Sequence, residues 1–259
     1  MYNTVTAPNF LQDKPFQHFK AEAFPWVNPI DWLTSHFAVG GWSPLQRLSG
    51  MLTAHMTQIA PHNGFTWHPH RGLEIYTWVL EGTLYHEDTT GGRGEIHAGE
   101  LQRMFSGDWI EHQELNMTGE PVRVIQIWFA ADPKYRGLEP HYQQTRKEEL
   151  PVRQQQGVKT FSLIGEGSPM EQHVSARLTA TSMEPNSTTE IIPPRPGEDL
   201  FVYITGGRGQ AGYDHESPSL SQYDVILAGP ELKGLQMTAA AGEPLDYLCF
   251  YLPSFMSAG

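Results

Sequence analysis

Two short clusters carry the side chains best suited to hold a metal ion. His68 and His70 are separated by one proline, and His112 and Glu114 are separated by one glutamine. On an extended strand, residues two apart point to the same face, so each pair can approach one ion. Two neighbouring strands would then supply three imidazoles and one carboxylate. That ligand set suits Fe, Mn, Co, Ni or Cu and leaves positions open for water or substrate.

The remaining histidines do not form such pairs. The chain has 12 histidines, so one isolated His-x-His would be weak evidence. Two pairs with strand-like flanks, separated by a stretch of hairpin length, are much stronger evidence for a metal site. We interpret the others as surface, hydrogen-bonded or unpaired residues: His18, His36, His55, His62, His86, His97, His141, His173 and His215.

The segments around these clusters have the composition of short β-strands. β-branched and aromatic residues dominate four runs that end at glycine or polar turns, namely 74–80, 83–87, 101–105 and 122–129. Such spacing is typical of an all-β sandwich or barrel. Helical signals are sparse, and the region 133–157 is predicted to be a polar linker with a short helix.

A weak internal repeat predicts a second lobe with the same scaffold. Residues 198–206 align with 74–82, since a glutamate opens and a glycine closes both runs. In that register, Ile192-Pro193-Pro194 takes the place of His68-Pro69-His70, so the second lobe would lack the ligands. The glycine-rich segment 207–212 has no following helix and is interpreted as a hairpin loop rather than a dinucleotide site.

Composition excludes several classes of function. The net charge of −12 and the lack of a basic stripe argue against direct nucleic-acid binding. A lone Cys249 in an apolar run excludes an intrachain disulfide and predicts a buried, inert thiol. No apolar run approaches the length of a membrane span, and residues 1–5 do not resemble a secretory leader. We therefore expect a cytoplasmic protein.

A long ungapped run links these motifs to a known family. Residues 68–82, His-Pro-His-Arg-Gly-Leu-Glu-Ile-Tyr-Thr-Trp-Val-Leu-Glu-Gly, resemble the signature of pirins and pirin-like quercetin 2,3-dioxygenases. The similarity continues through Tyr85-His86-Glu87-Asp88 and His112-Gln113-Glu114, and covers residues 45–145 well. It implies an all-β bicupin of the cupin superfamily, with two tandem jelly-roll barrels. We divide the chain into a metal-binding cupin, 1–145, and a cupin-like domain without metal ligands, 146–259.

The resemblance also implies a cofactor and an activity. The family's ligands fall on His68, His70, His112 and Glu114, holding one divalent metal. Fe(II) is favoured, with Mn, Co, Ni or Cu as alternatives. We predict a dioxygenase that cleaves a flavonol-type aromatic substrate with O2, with Glu114 as the catalytic base. The alternative is an iron-dependent, redox-sensing regulatory protein that docks a protein partner. We expect a monomer.

The chain departs from the family pattern at His62, at the bulky Asp108-Trp109 and at Glu111. His62 stands where the general cupin pattern has glycine, and Trp109 and Glu111 are expected to narrow or acidify the pocket mouth. Many other cupins take their carboxylate ligand from the first motif, where this chain has Glu74. Since Glu74 shares the strand parity of His70, it competes with Glu114 for that role.

Overall fold

The computed structural model describes residues 16–135 and 137–255, and the predicted all-β fold is confirmed. The N-terminal residues, on which the expectation of no secretory leader rests, lie outside the described residues. Three short 3-10 helices cover Ala21–Ala23, Pro133–Tyr135 and Lys147–Glu149. The strands are β1 (Phe16–Phe19), β2 (Trp26–Ile30), β3 (Leu33–Val39), β4 (Met51–Ile59), β5 (Asn63–His70), β6 (Leu73–Glu81), β7 (Thr83–Asp88), β8 (Arg93–His97), β9 (Leu101–Phe105), β10 (Ile110–Asn116), β11 (Val122–Ala130), β12 (His141–Thr145), β13 (Val152–Gln155), β14 (Val158–Ile164), β15 (Arg177–Met183), β16 (Thr188–Glu190), β17 (Glu198–Gly212), β18 (Ser219–Ser221), β19 (Val225–Ala228), β20 (Gln236–Ala239) and β21 (Leu245–Pro253).

The strands form two compact units. The N-terminal unit comprises Pro25–Leu150 and the short segment Pro169–Val174, and the C-terminal unit comprises the other described residues. The sequence-based division at 145/146 differs from this arrangement at the N-terminus. Strand β1 belongs to the C-terminal unit because it hydrogen-bonds to β19 along its whole length. Composition gives no sign of such long-range pairing.

The N-terminal unit contains two antiparallel sheets. One has seven strands in the order β12-β9-β6-β11-β4-β3-β2, and the other has four in the order β5-β10-β7-β8. Apolar residues from both sheets build a shared core that includes Ile59, Leu84 and Val124. Gly82 joins β6 to β7 with a φ of 75°, and a Cβ there would lie 2.7 Å from the Pro121 carbonyl oxygen. The predicted turn at this position therefore requires glycine.

The C-terminal unit repeats this topology. Its strands run in the order β1-β19-β17-β21-β15-β14-β13, and a smaller group follows the order β16-β20-β17-β18. Position by position, β16 therefore corresponds to β5, β20 to β10, and β21 to β11. The weak repeat in the sequence thus reflects a real duplication of strand order.

Two segments differ from the sequence-based predictions. The region 133–157 is more than a polar linker, because β12 pairs with β9 and β13 pairs with β14. The segment 207–212 is the end of the long strand β17 rather than a hairpin loop, since it pairs with β18 and β20. Both segments are polar, and only their backbone partners make them strands. None of the helices in the described part of the chain is long or apolar enough to cross a membrane.

Candidate metal centre

Strands β5 and β10 bring the two predicted pairs together. They are antiparallel neighbours, with His112 opposite His68 and Ile110 opposite His70. The side chains of β10 alternate strictly between buried and partly exposed, and both His112 and Glu114 are on the buried side. A register shift between His112 and Glu114 interrupts the pairing. The i, i+2 spacing therefore delivers the residues of both pairs to the inside of the sandwich.

Three imidazoles form the centre of the site. Ring centroids are separated by 4.9 Å for His68 and His70, 4.3 Å for His68 and His112, and 4.9 Å for His70 and His112. One nitrogen from each ring lies within 4.8 Å of the others. The Nε2 atoms of His70 and His112 are buried and have no hydrogen-bond partner. Buried polar atoms are normally satisfied, so these two nitrogens fit a ligand such as a metal ion.

Hydrogen bonding and burial prepare these rings for metal binding. The Nδ1 atom of His68 lies 2.7 Å from the Thr66 carbonyl oxygen, which leaves its Nε2 available. Burial and the neighbouring His68 lower the pKa of His70 to about 4. Burial, reinforced by three surrounding imidazoles, lowers the pKa of His112 to about 2. Both rings are therefore neutral near pH 7, which is the form that binds metals.

Glu114 is held beside His112 by two side-chain amides. Its Oε1 accepts a hydrogen bond from Gln102 Nε2 at 2.5 Å, and its Oε2 accepts one from Gln126 Nε2 at 2.6 Å. Trp128 Nε1 in turn donates to Gln126 Oε1 at 3.2 Å, which fixes the orientation of that amide. Burial raises the pKa of Glu114, while His86, His68 and the two amides act in the opposite direction. The carboxylate joins a second ligand group with His86 and His112.

Glu74, the alternative carboxylate, is engaged elsewhere. Its Oε1 lies 2.5 Å from Arg103 Nε, and Tyr76 donates a hydrogen bond to the same oxygen at 2.9 Å. The backbone N–H of His173 lies within 3.0 Å of both carboxylate oxygens. Glu74 and Arg103 are both fully buried, and Glu74 belongs to neither candidate ligand group. Glu74 lies on the face of its sheet opposite Thr77 and Gln102, because its partner Arg103 directly follows Gln102 on β9. The strand parity of His70 therefore does not carry over to Glu74, which serves a buried ion pair instead.

His86 is part of the site, although the sequence analysis left it unpaired. It is completely buried on β7, with Nε2 3.0 Å from Asp88 Oδ2 and its ring stacked on Tyr142 at 4.3 Å. Its Nδ1 lies 3.5 Å from Nδ1 of His112. The spacing of His86 and Asp88, again i and i+2, was a usable signal.

Trp109 precedes His112 by three residues in the sequence, and its bulk is predicted to narrow the mouth of the pocket. The ring is about half exposed, and the Arg71 guanidinium lies 5.7 Å from its centroid. Arg71 Nε also donates a hydrogen bond to the Asp108 carbonyl oxygen at 2.8 Å. The pair thus forms an ordered surface feature, and its effect on the pocket mouth stays a prediction.

Comparison with known proteins identifies the family. The family model described as Pirin matches residues 43–129, a span that contains all four predicted ligands. A Mycobacterium tuberculosis protein named "Putative quercetin 2,3-dioxygenase" is 34% identical over 182 residues, covering 68% of this chain and 73% of the relative. The chain belongs to the pirin family. Human Pirin is 30% identical over 196 residues, covering 70% of this chain and 67% of that protein.

A solved pirin structure supports the same fold. The bacterial pirin YhhW from Escherichia coli, solved in complex with nickel(II), has a TM-score of 0.76 and 23% identity. The match covers 92% of this chain and 99% of that one. The predicted two-domain cupin fold is thereby confirmed for this pirin.

Proposed function

We propose that this pirin is a metal-dependent dioxygenase that acts on a flavonol-type or related small aromatic substrate with O2. The observation that carries the proposal is the pair of buried, unpartnered Nε2 atoms on His70 and His112, within reach of His68. Leaving two buried nitrogens unsatisfied is costly unless a ligand occupies the space between them. The relative named "Putative quercetin 2,3-dioxygenase" supports the reaction class.

The residues present fit one divalent transition metal. His68, His70 and His112 would hold it, with Glu114 as the fourth ligand. Neutral imidazoles with one carboxylate favour Fe(II), and Mn, Co, Ni and Cu remain alternatives for the same donors. When bound, the metal would supply Lewis acidity and redox capacity for the reaction of the substrate with O2.

Glu114 is proposed as the catalytic base. Burial raises the pKa of Glu114, whereas a cation bound beside it would lower it, so burial and the metal together would set its basicity. The amides of Gln102 and Gln126 hold both oxygens in place, at 2.5 and 2.6 Å. In this role Glu114 accepts the proton of the substrate hydroxyl, and the two glutamines keep it oriented toward that atom.

The test is aerobic turnover of quercetin by protein loaded separately with Fe(II), Mn, Co, Ni or Cu. We expect loss of the flavonol absorbance and matching O2 consumption with at least one metal. The His112→Ala variant is the control and should show neither. Absence of turnover with all five metals would reject quercetin as the substrate, though not the metal site.

The alternative is an iron-dependent regulatory protein that docks a partner. Two half-exposed tryptophans close to the candidate ligands favour this alternative. Trp67 directly precedes His68, and Trp109 directly precedes Ile110, the residue opposite His70. Exposed aromatics are common anchors of protein interfaces. The net charge of −12 would favour a basic partner. A pulldown with Fe(II)- and Fe(III)-loaded protein tests this function, and equal binding in both states would reject redox sensing. We also propose a cytoplasmic monomer.

A further inference from the structure

The C-terminal unit contains a cavity of about 380 Å³. Four adjacent strands, β13, β14, β15 and β21, line one side with residues at alternating positions. The other side is formed by β16 and the residues that follow it, including Ile191 and Ile192. A volume of this size is in the range of small-molecule sites, roughly 300–1,000 Å³.

The cavity lies beside the place that corresponds to the metal centre of the N-terminal unit. Strand β16 corresponds to β5, which carries His68 and His70, and β21 corresponds to β11, which carries Gln126 and Trp128. Among the described residues, none of those that line the cavity comes from β20, the counterpart of the ligand strand β10. The cavity is therefore a separate feature of the duplicated fold, with a lining of its own.

Hydroxyl groups dominate the polar lining of this pocket. Thr160 and Thr181 face each other from β14 and β15, with hydroxyl oxygens 3.1 Å apart. Thr179 and Ser162 add further hydroxyls on the same faces, and Tyr247 contributes from β21. Each hydroxyl both donates and accepts hydrogen bonds, so the lining matches a ligand that carries hydroxyl groups of its own.

The charges around the cavity balance. The Arg177 guanidinium is paired with Glu198, with Nη2 2.5 Å from Oε2, and it also lies 4.1 Å from the centre of the Tyr251 ring. The two other charged lining residues, Arg153 and Glu190, are exposed and of opposite sign. A charged ligand would find no unpaired counter-charge inside, so the pocket favours a neutral one.

We propose that this cavity binds an uncharged, polyhydroxylated small molecule. The shared chemistry is a set of hydroxyl groups on a compact frame that exchange hydrogen bonds with the threonines. That chemistry is found in aliphatic polyols and sugars and also in polyphenols. The proposal does not depend on the metal centre, because every lining residue belongs to the C-terminal unit.

Calorimetric titration of the metal-loaded protein tests the proposal with three probes. D-Glucitol represents the aliphatic source, phloroglucinol represents the aromatic source, and D-gluconate is the charged counterpart of D-glucitol. We expect one neutral probe to bind, which identifies the source, and gluconate to bind at least about tenfold more weakly. The double variant Thr160→Val/Thr181→Val keeps side-chain shape but removes both hydroxyls, and should weaken binding about tenfold.

Two controls locate the binding. Ser182→Val changes an exposed residue on the opposite face of β15 and should bind the probe as the wild type does. His112→Ala alters only the metal centre and should also bind normally, whatever its effect on turnover. The proposal is overturned if neither neutral probe binds, if the double variant binds like the wild type, or if His112→Ala abolishes binding.

Discussion

His68 and His112 lie directly opposite each other on β5 and β10, with ring centroids 4.3 Å apart. They are 44 positions apart in the sequence, and only the antiparallel pairing of the two strands makes them neighbours. Because the Nε2 of His112 is buried without a partner, removal of this ring should affect metal retention before anything else.

Replacement of His112 by alanine should abolish stoichiometric metal binding. The variant loses one of three converging imidazoles, and we expect metal content to fall at least tenfold. Metal analysis of the purified proteins measures this directly. The matched control is His215→Ala, since that side chain is 97% exposed in the C-terminal unit. Equal metal content in the two variants would contradict the assignment.

The two candidate carboxylates should respond differently to amide substitution. Glu114→Gln replaces one carboxylate oxygen with an NH2 group, which then faces one of the two amide N–H groups that donate hydrogen bonds to Glu114. Metal affinity should therefore fall by about 10–100-fold. Glu74→Gln should leave metal content unchanged but destabilise the fold by about 3–5 kcal/mol, since it breaks the buried pair with Arg103. Metal analysis and urea unfolding separate these effects. Metal loss in Glu74→Gln alone would reverse the assignment.

The metal-free protein should lose stability as the pH falls from about 7 to 5. Burial lowers the pKa of His55 and His70 to about 4 and that of His112 to about 2. The unfolded chain takes up protons at these histidines near pH 6.5 while the folded chain does not, so acid favours unfolding. The raised pKa of Glu114 favours the folded state as the pH falls, but this single group opposes the three histidines named above.

The measurement for this pH effect is the urea midpoint of metal-free protein at pH 7 and pH 5. A His112→Leu variant should show a smaller difference between the two midpoints, because it lacks one of the groups responsible. A wild-type midpoint that stays constant or rises toward pH 5 would contradict the prediction.

His62 should be a site of backbone strain that glycine relieves. Its φ is 57°, in the left-handed region that disfavours residues with a Cβ. The general cupin pattern has glycine at this position, and the structure supplies the reason. We expect His62→Gly to raise the free energy of unfolding by about 0.5–1 kcal/mol. Thermal unfolding measures the change, and His97→Gly, in the regular strand β8, should instead be destabilising.

Cys249 should react slowly with thiol reagents in the folded protein. The residue is buried, as the sequence predicts, and burial raises the pKa of its thiol to about 12. Very little thiolate is present near pH 8, and the thiolate is the reactive form. Mass spectrometry after iodoacetamide treatment should show alkylation only when urea is added. Cys249 lines the cavity of the C-terminal unit, so the slow reaction depends on the scarcity of thiolate, and rapid labelling of the native protein would contradict the raised pKa.

The residue types and their spacing identify the chemistry available to this protein. The two i, i+2 pairs, the β-rich composition and the long run from 68 to 82 led to an all-β pirin with candidate ligands on adjacent strands. Strand parity needs only local information, because side chains alternate whatever the partner strand is. Parity fails for Glu74 because His70 ends β5 and Glu74 lies on β6, in the other sheet, so Glu74 points away from the candidate site and pairs with Arg103.

Which of the inward-facing groups meet depends on contacts between distant parts of the chain. The amides that hold Glu114 come from β9 and β11, on the opposite sheet, and the buried His86 comes from β7. The addition of β1 to the C-terminal unit likewise depends on a partner more than 200 residues away. These contacts are set by strand register and sheet packing, which arise from hydrogen bonds between distant segments and therefore leave no local signal in the chain.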